Sequence, residues 1–213
     1  PTVLVNALDA RAVAQAVIYP ELSVAPGPQI PGGIPAALAL TRAMNEATAA
    51  LVARTPNRLA GLAVVNPLGG PEDLAELKRA ILALGLRGVA VGASYHGATI
   101  ASPAARPFLE LAQALDIPVI VHPAADGGWQ MPHDYGLDLL VGMPMDLTAL
   151  AVRLIVAGTL DAFPRLRLVL PHLGAGLPAL LGWLTAHADP ASPPPAERAR
   201  RFWADTATAT PAA

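Results

Sequence analysis

The 213-residue chain contains no cysteine. That removes disulfide staples, thiolate metal sites and cysteine nucleophiles together, so any metal ion must be held by His, Asp or Glu. Lysine is nearly absent as well: Lys78 is the only one, and the formal charge is -2. Without a basic surface, a nucleic acid or an anionic membrane finds no phosphate contacts to hold it, which leaves a small molecule as the expected partner. The one basic cluster, "ERARRF" from Glu197 to Phe202, reads as a solvated helix end beside a strand. Charged residues make up 14% against 54% hydrophobic, the balance of a chain that buries one sizeable core in a single domain over 1–213. No charged segment precedes an apolar one at the start, so no secretory leader is read and a cytoplasmic location is expected. The long uncharged stretch Leu168 to Ala186 is not read as a membrane span, because Pro171, Pro178, His172 and several glycines break it into strand, turn and helix.

What is present is an alternation. Short apolar runs occur at Ala14 to Tyr19, Leu59 to Val65, Gly88 to Val91, Ile117 to Val121, Leu166 to Leu170 and Phe202 to Thr206. Between them lie amphipathic segments with legible ends. In "GGPEDLAELKRAILALG", Pro71 suits the first helical position, Glu72 and Asp73 suit the positive end of the dipole, and Gly85 supplies the stop. Leu74, Leu77, Ile81 and Leu84 are expected on its inner face. Ser102 before Pro103 opens a second helix with Phe108, Leu111, Ala112 and Leu115 inward. Asp146 is read as the cap of a third, with Leu147, Leu150, Ala151, Leu154 and Ile155 inward as far as Gly158. Strand, helix and strand repeating in units of about 30 residues give a parallel sheet with helical crossovers. Near-continuous apolar strands fit that reading, and leave a (β/α)8 barrel or an open doubly wound sheet.

In either architecture the functional end is the carboxyl edge of the sheet. Two runs, "IPVIVHP" and "LRLVLPH", end there in imidazoles, His122 and His172. Neutral imidazole is a common metal ligand and titrates near neutral pH, so two of them on neighbouring strands suit one ion, or an ion and its bound water. A hydrogen-bonded structural role for each stands beside that reading. "GAGLPA", Gly174 to Ala179, fits a loose G-x-G-x-x-G/A pattern after a strand and keeps a nucleotide-binding α/β protein as an alternative.

The segments "GLRGVAVG", "IPVIVHP", "LVGMPMDLTALAVRLIVAGTLDAFPRLRLVLPHLGAGLP" and "FWADTA" resemble, in order, pieces of the amidohydrolase-related family that includes aminocarboxymuconate semialdehyde decarboxylase. The stretch Leu140 to Pro178 is the most specific part. The resemblance implies a (β/α)8 TIM barrel of the metal-dependent hydrolase type. It places a metal ligand on His122, at the end of the fifth barrel strand, and an acid or base on His172, at the end of the sixth. It implies one divalent cation, zinc first and manganese second, a small aromatic or unsaturated acid as substrate, and hydrolysis or decarboxylation through a metal-activated water. A homodimer is compatible with it.

The chain also departs from the family. The His-x-His pair of strand one and the Asp ending strand eight are missing, so strands one and eight are read as absent from this sequence. The expectation is a piece of a longer protein or, if the chain is complete, a metal-free pseudoenzyme or assembly subunit on the same barrel. Where the decarboxylases carry a substrate-binding Arg, "ALLGW" places Trp183, which suits ring stacking or a subunit contact. Tyr95 and His96 in "ASYHG", together with Ser94, are candidates to line the mouth. Trp129, in the long loop with Gln130 and His133, suits a lid, and Asp205 at the end of strand seven is placed to face the site or to hold a neighbouring backbone group.

Overall fold

The computed structural model describes residues 2–20, 31–95, 97–123 and 134–206. The chain divides into two compact units, Pro1–Val91 and Gly92–Ala213. In the first, helix α1 (Thr2–Asp9) leads to strand β1 (Ala16–Ile18), helix α2 (Gly33–Ala53), strands β2 (Leu59–Gly61) and β3 (Ala63–Val64), helix α3 (Pro71–Leu82) and strand β4 (Val89–Gly92), whose last residue opens the second unit. β1 pairs β2 and β3 pairs β4, all parallel. The run Leu59 to Val65 is therefore one extended segment that serves neighbours on both sides. Leu62 donates its N–H to Ile18 and Ala63 donates to Gly88.

The end of this segment depends on a side chain. Val64 points its backbone polar groups to the β1 side, where Tyr19 and Pro20 follow the end of β1, and Pro20 has no N–H to offer. Asn45 of α2 takes that place: its Oδ1 accepts the Val64 N–H at 2.8 Å and its Nδ2 donates to the Val64 carbonyl at 3.1 Å. Nδ2 also donates to Glu76 Oε1 at 2.8 Å, and that carboxylate fixes which end of the amide faces which group. Glu76 is 1% exposed. Its charge is compensated by a two-pronged bond from Arg79, at 2.7 and 3.0 Å, with Arg42 at 3.6 Å.

This network corrects one sequence expectation. α3 buries Asp73, Glu76, Leu77 and Ala80, while Leu74, Ile81 and Leu84 are only half-buried, because a paired carboxylate takes the innermost position. Asp73 also accepts the Gly70 N–H at 3.2 Å, and burial pushes its carboxyl above the ordinary range. α2 has no apolar stripe to announce it: its inward residues are Ala37, Leu38, Thr41, Asn45 and Thr48.

The second unit continues with helix α4 (Arg106–Ala114), strand β5 (Pro118–His122), helices α5 (Met143–Val156) and α6 (Thr159–Ala162), strand β6 (Arg167–Leu170), helices α7 (Leu177–Ala186) and α8 (Pro195–Ala199), and strand β7 (Trp203–Ala204). β5, β6 and β7 are parallel neighbours, with Ile120 opposite Val169 and Leu170 opposite Ala204. Val119 and Val121 are fully buried on one face of β5, and Pro118, Ile120 and His122 alternate onto the other. α4 begins after a 3-10 turn, Pro103–Ala105, and buries Phe108, Leu109 and Ala112, with Leu111 and Leu115 half-buried.

α5 is the central helix of this unit. Leu147, Leu150, Ala151, Leu154 and Ile155 are all buried as expected, the three leucines and the isoleucine each contributing about 1.5–3 kcal/mol relative to exposure. A π-helical turn, Asp138–Gly142, precedes it. The helix thus starts earlier than the sequence suggested, and Asp146 lies within its first turns as a buried acceptor, not as its cap. The stretch Asp134–Val156 is long and apolar enough to cross a membrane by length and composition. Its regular α-helix is only 14 residues, about 21 Å against a hydrocarbon core of about 30 Å, and its buried face is that of a core helix.

Candidate active site

His122 closes β5 half-buried. Its ring Nδ1 lies 2.8 Å from the Pro123 carbonyl. A carbonyl only accepts, so in the neutral ring Nδ1 carries the proton and Nε2 carries the lone pair. That is the tautomer a metal-ligating histidine adopts when a backbone carbonyl orients it. The strand end is fixed from the other side too, since Ala93 donates its N–H to the His122 carbonyl at 2.7 Å.

His172 follows β6 on an unusual backbone. His172, Leu173, Gly174 and Ala175 have φ of 57°, 58°, 77° and 52° in succession. Only glycine adopts this region without cost, and each of the other three loses roughly 1–2 kcal/mol. Several bonds hold the turn. Asp205, just past β7, accepts the His172 N–H at 2.7 Å through Oδ1. The Gly174 N–H goes to Pro171, the Ala175 N–H to His172, and the Gly176 N–H to the Thr148 hydroxyl at 2.9 Å. β5, β6 and β7 are adjacent and parallel, so His122, His172 and Asp205 stand at one carboxyl edge.

The same bonds bear on the nucleotide alternative. A phosphate-binding loop offers unpaired backbone N–H groups, whereas those of Gly174, Ala175 and Gly176 are taken up within the protein. An apolar hollow of about 280 Å³ lies against this turn, lined by Leu173, Leu177, Leu181, Phe202 and Trp203 among others; neither histidine lines it.

The remaining sequence candidates are distributed as follows. Tyr95 is folded back under its strand, its hydroxyl accepting the Gly92 N–H at 2.7 Å, and burial pushes its phenol well above the ordinary value. Ser94 beside it is buried and donates to Asp146 Oδ2 at 3.3 Å. Trp183 is 70% exposed on α7 and stacks on His187, ring centroids 4.2 Å apart. His96, Trp129, Gln130 and His133 lie outside the described residues. Asp146 and Thr148 are what the sequence reading missed. Asp146 reads from sequence as a helix cap, and a lone Thr inside an apolar helix gives no signal.

His122 thus has the tautomer and strand-end position of one metal ligand, and its donor type suits a divalent ion. Among the described residues no group of three or more His, Asp or Glu is placed to hold an ion.

Comparison with known proteins gives these features a setting. The chain is 29% identical over 179 residues to 2-amino-3-carboxymuconate-6-semialdehyde decarboxylase of Dictyostelium discoideum, covering 80% of this chain and 50% of that protein. It is 31% identical over 190 residues to gamma-resorcylate decarboxylase of Rhodococcus jostii (strain RHA1), covering 83% and 54%. The chain therefore spans about half the length of the curated relatives it matches. Among solved structures, 5-carboxyvanillate decarboxylase LigW from Sphingomonas paucimobilis superposes with a TM-score of 0.80 at 27% identity, over 94% of this chain and 62% of that one. A 5-carboxyvanillate decarboxylase from Novosphingobium aromaticivorans, solved with bound manganese, has a TM-score of 0.74 at 24% identity, over 85% and 52%. The fold is that of the TIM-barrel metal-dependent hydrolases. The amidohydrolase family model matches residues 12–212, nearly the whole chain, and the chain belongs to the amidohydrolase family.

Proposed function

We propose that this chain carries the His122 and His172 part of a metal-dependent decarboxylase acting on a small aromatic carboxylic acid. The observation that carries the reading is the pair of strand ends: an oriented His122 with its Nε2 lone pair, beside a second imidazole on a strained turn held by four backbone N–H bonds. The decarboxylase names of the relatives favour loss of carbon dioxide over hydrolysis.

A divalent ion at His122 would supply charge stabilisation at a substrate oxygen and acidify bound water. His172 is the chain's proton carrier in this reading. Decarboxylation breaks the bond between ring carbon and carboxylate, leaves its electron pair on the ring, releases carbon dioxide, and requires one proton at that carbon. The His172 imidazole is a group that can deliver such a proton. Manganese is the ion of choice because the solved N. aromaticivorans enzyme holds it; zinc, the first choice from sequence, shares the same His and carboxylate donors.

The test is to load the protein with Mn²⁺ and measure carbon dioxide release from gamma-resorcylate and 5-carboxyvanillate. His122→Ala is expected to lose both the metal and the turnover, and His172→Gln to keep the metal and lose turnover. Undiminished release after complete metal removal overturns the metal reading. Absence of both metal uptake and turnover in the wild-type protein favours the metal-free assembly role instead.

A further inference from the structure

Buried polar side chains inside an apolar helix are costly unless their bonds are made, and α5 has two of them two residues apart. Asp146 is 4% exposed and Thr148 is 2% exposed. At 3.6 residues per turn, positions i and i+2 point to nearly opposite sides of a helix, and these two residues bond in opposite directions along the chain. Asp146 Oδ2 accepts the Ser94 hydroxyl at 3.3 Å. Ser94 directly follows Ala93, whose N–H is on the carbonyl of His122. Thr148 donates its hydroxyl to Pro144 at 2.7 Å and accepts the Gly176 N–H at 2.9 Å. Gly176 directly follows the left-handed residues 172–175.

The contact at Gly176 is tight. A Cβ there would lie 3.0 Å from Thr148 Oγ1, so the turn sits directly on the hydroxyl and a side chain between them would require one or the other to shift.

We infer that the start of α5 braces both histidine-bearing strand ends, with Asp146 and Thr148 as positioning residues for His122 and His172. One rigid helix, anchored by Leu147, Leu150, Ala151 and Leu154 in the core, thereby fixes where each imidazole stands. Neither side chain is a catalytic residue: each acts through a backbone segment that carries one. The catalytic part of this inference rests on the proposed function; its structural part does not.

The decisive comparison is Thr148→Val against Thr148→Ser. Valine keeps the shape and removes the hydroxyl, leaving the Gly176 N–H without its acceptor; serine keeps the hydroxyl. In the valine protein the Gly176 and His172 amides should exchange at least about 10-fold faster, and the His172 ring resonances should shift, the signature of a released turn. With gamma-resorcylate as substrate, kcat should fall by about 10-fold or more at a KM that changes little, since a displacement of about 1 Å near the chemistry costs up to 100-fold. Serine should restore both readouts. On the other side, Asp146→Ala should weaken Mn²⁺ binding by about 10-fold, as loss of a supporting contact behind a ligand does.

Unchanged exchange at Gly176 and His172 in a folded Thr148→Val protein overturns the brace, as does a serine variant as impaired as the valine one. If the valine variant does not fold, fast exchange of the Gly176 amide in the wild-type protein overturns it equally. A wild-type protein without metal or turnover defeats the proposed function instead, and the exchange comparison still decides the brace.

Discussion

Replacing Asp205 by alanine removes the acceptor on the His172 N–H, a charge-assisted bond of 2.7 Å. Bonds of this kind contribute about 1.5–3 kcal/mol, and an abandoned donor that stays buried costs a similar amount. Both partners are half-buried, so water reaches part of the site and the lower half of that range is expected. The strain in the turn sets the second part of the estimate. Three left-handed residues other than glycine cost roughly 3–6 kcal/mol in total, more than one bond offsets. The Gly174, Ala175 and Gly176 N–H bonds therefore share the load, and losing Asp205 should loosen the turn without unfolding the unit. In urea denaturation Asp205→Ala should lose about 1.5–2.2 kcal/mol, a fall in Tm of about 3–9 °C for a chain of this size. Asp205→Asn keeps a neutral acceptor and should lose less than half as much. Equal losses in the two variants, or a loss below about 0.5 kcal/mol in the alanine protein, would refute the reasoning.

Tyr95 gives a pH test. Its folded-state pKa is raised above the unfolded value of 10.0 by burial, so the native state keeps a proton that the unfolded state releases. Its stabilising contribution is complete below about pH 10 and is lost as pH rises above that. Tyr95→Phe should flatten the alkaline fall in urea midpoints between about pH 9 and pH 11 while lowering stability at neutral pH by about 1 kcal/mol, the cost of the lost acceptor on Gly92; an unchanged alkaline slope contradicts it. Gly61→Ala would place a Cβ 2.7 Å from Leu86 Cδ2 and 2.9 Å from Thr48 Cγ2, and should destabilise by about 1–3 kcal/mol through overpacking; a neutral effect in thermal melts denies that close packing. Asn45→Ala strands both polar groups of Val64 and one bond of Glu76, an expected loss of about 3 kcal/mol by denaturant titration; a loss under about 1 kcal/mol means water replaces the amide.

Where burial is apolar and local, the sequence was readable. The strand runs fell within a residue or two of β1 through β7, and α5 buries every apolar residue assigned to it, because period and burial coincide there. Where polar groups are buried by pairing, the pattern misled. α3 turns Glu76 inward since Arg79, Arg42 and Asn45 satisfy it from other positions. α2 escapes detection because Thr41, Asn45 and Thr48 form much of its inner face. At the site, His122 and His172 were legible as strand endings; Asp205 was legible as a residue at that edge, either facing the site or holding a neighbouring backbone group, and it accepts the His172 N–H. The left-handed run was not, since Gly174 alone among its residues signals that conformation, and His172, Leu173 and Ala175 carry no mark of it. Asp146 and Thr148 were hidden for a related reason: their partners lie 52 and 28 residues away in the chain.

Asn45 has a consequence for how the first unit finds its alignment during folding. A backbone segment that slides by one residue turns its polar groups to the opposite neighbour. The amide reads both groups of one residue at once, and its own orientation is set by Glu76, so a strand slipped by one residue does not satisfy it. A slipped pairing would leave a desolvated amide and a carboxylate short of one donor. The side chain thus acts as an index pin against one-residue slips, which a strand apolar on both faces would otherwise accept.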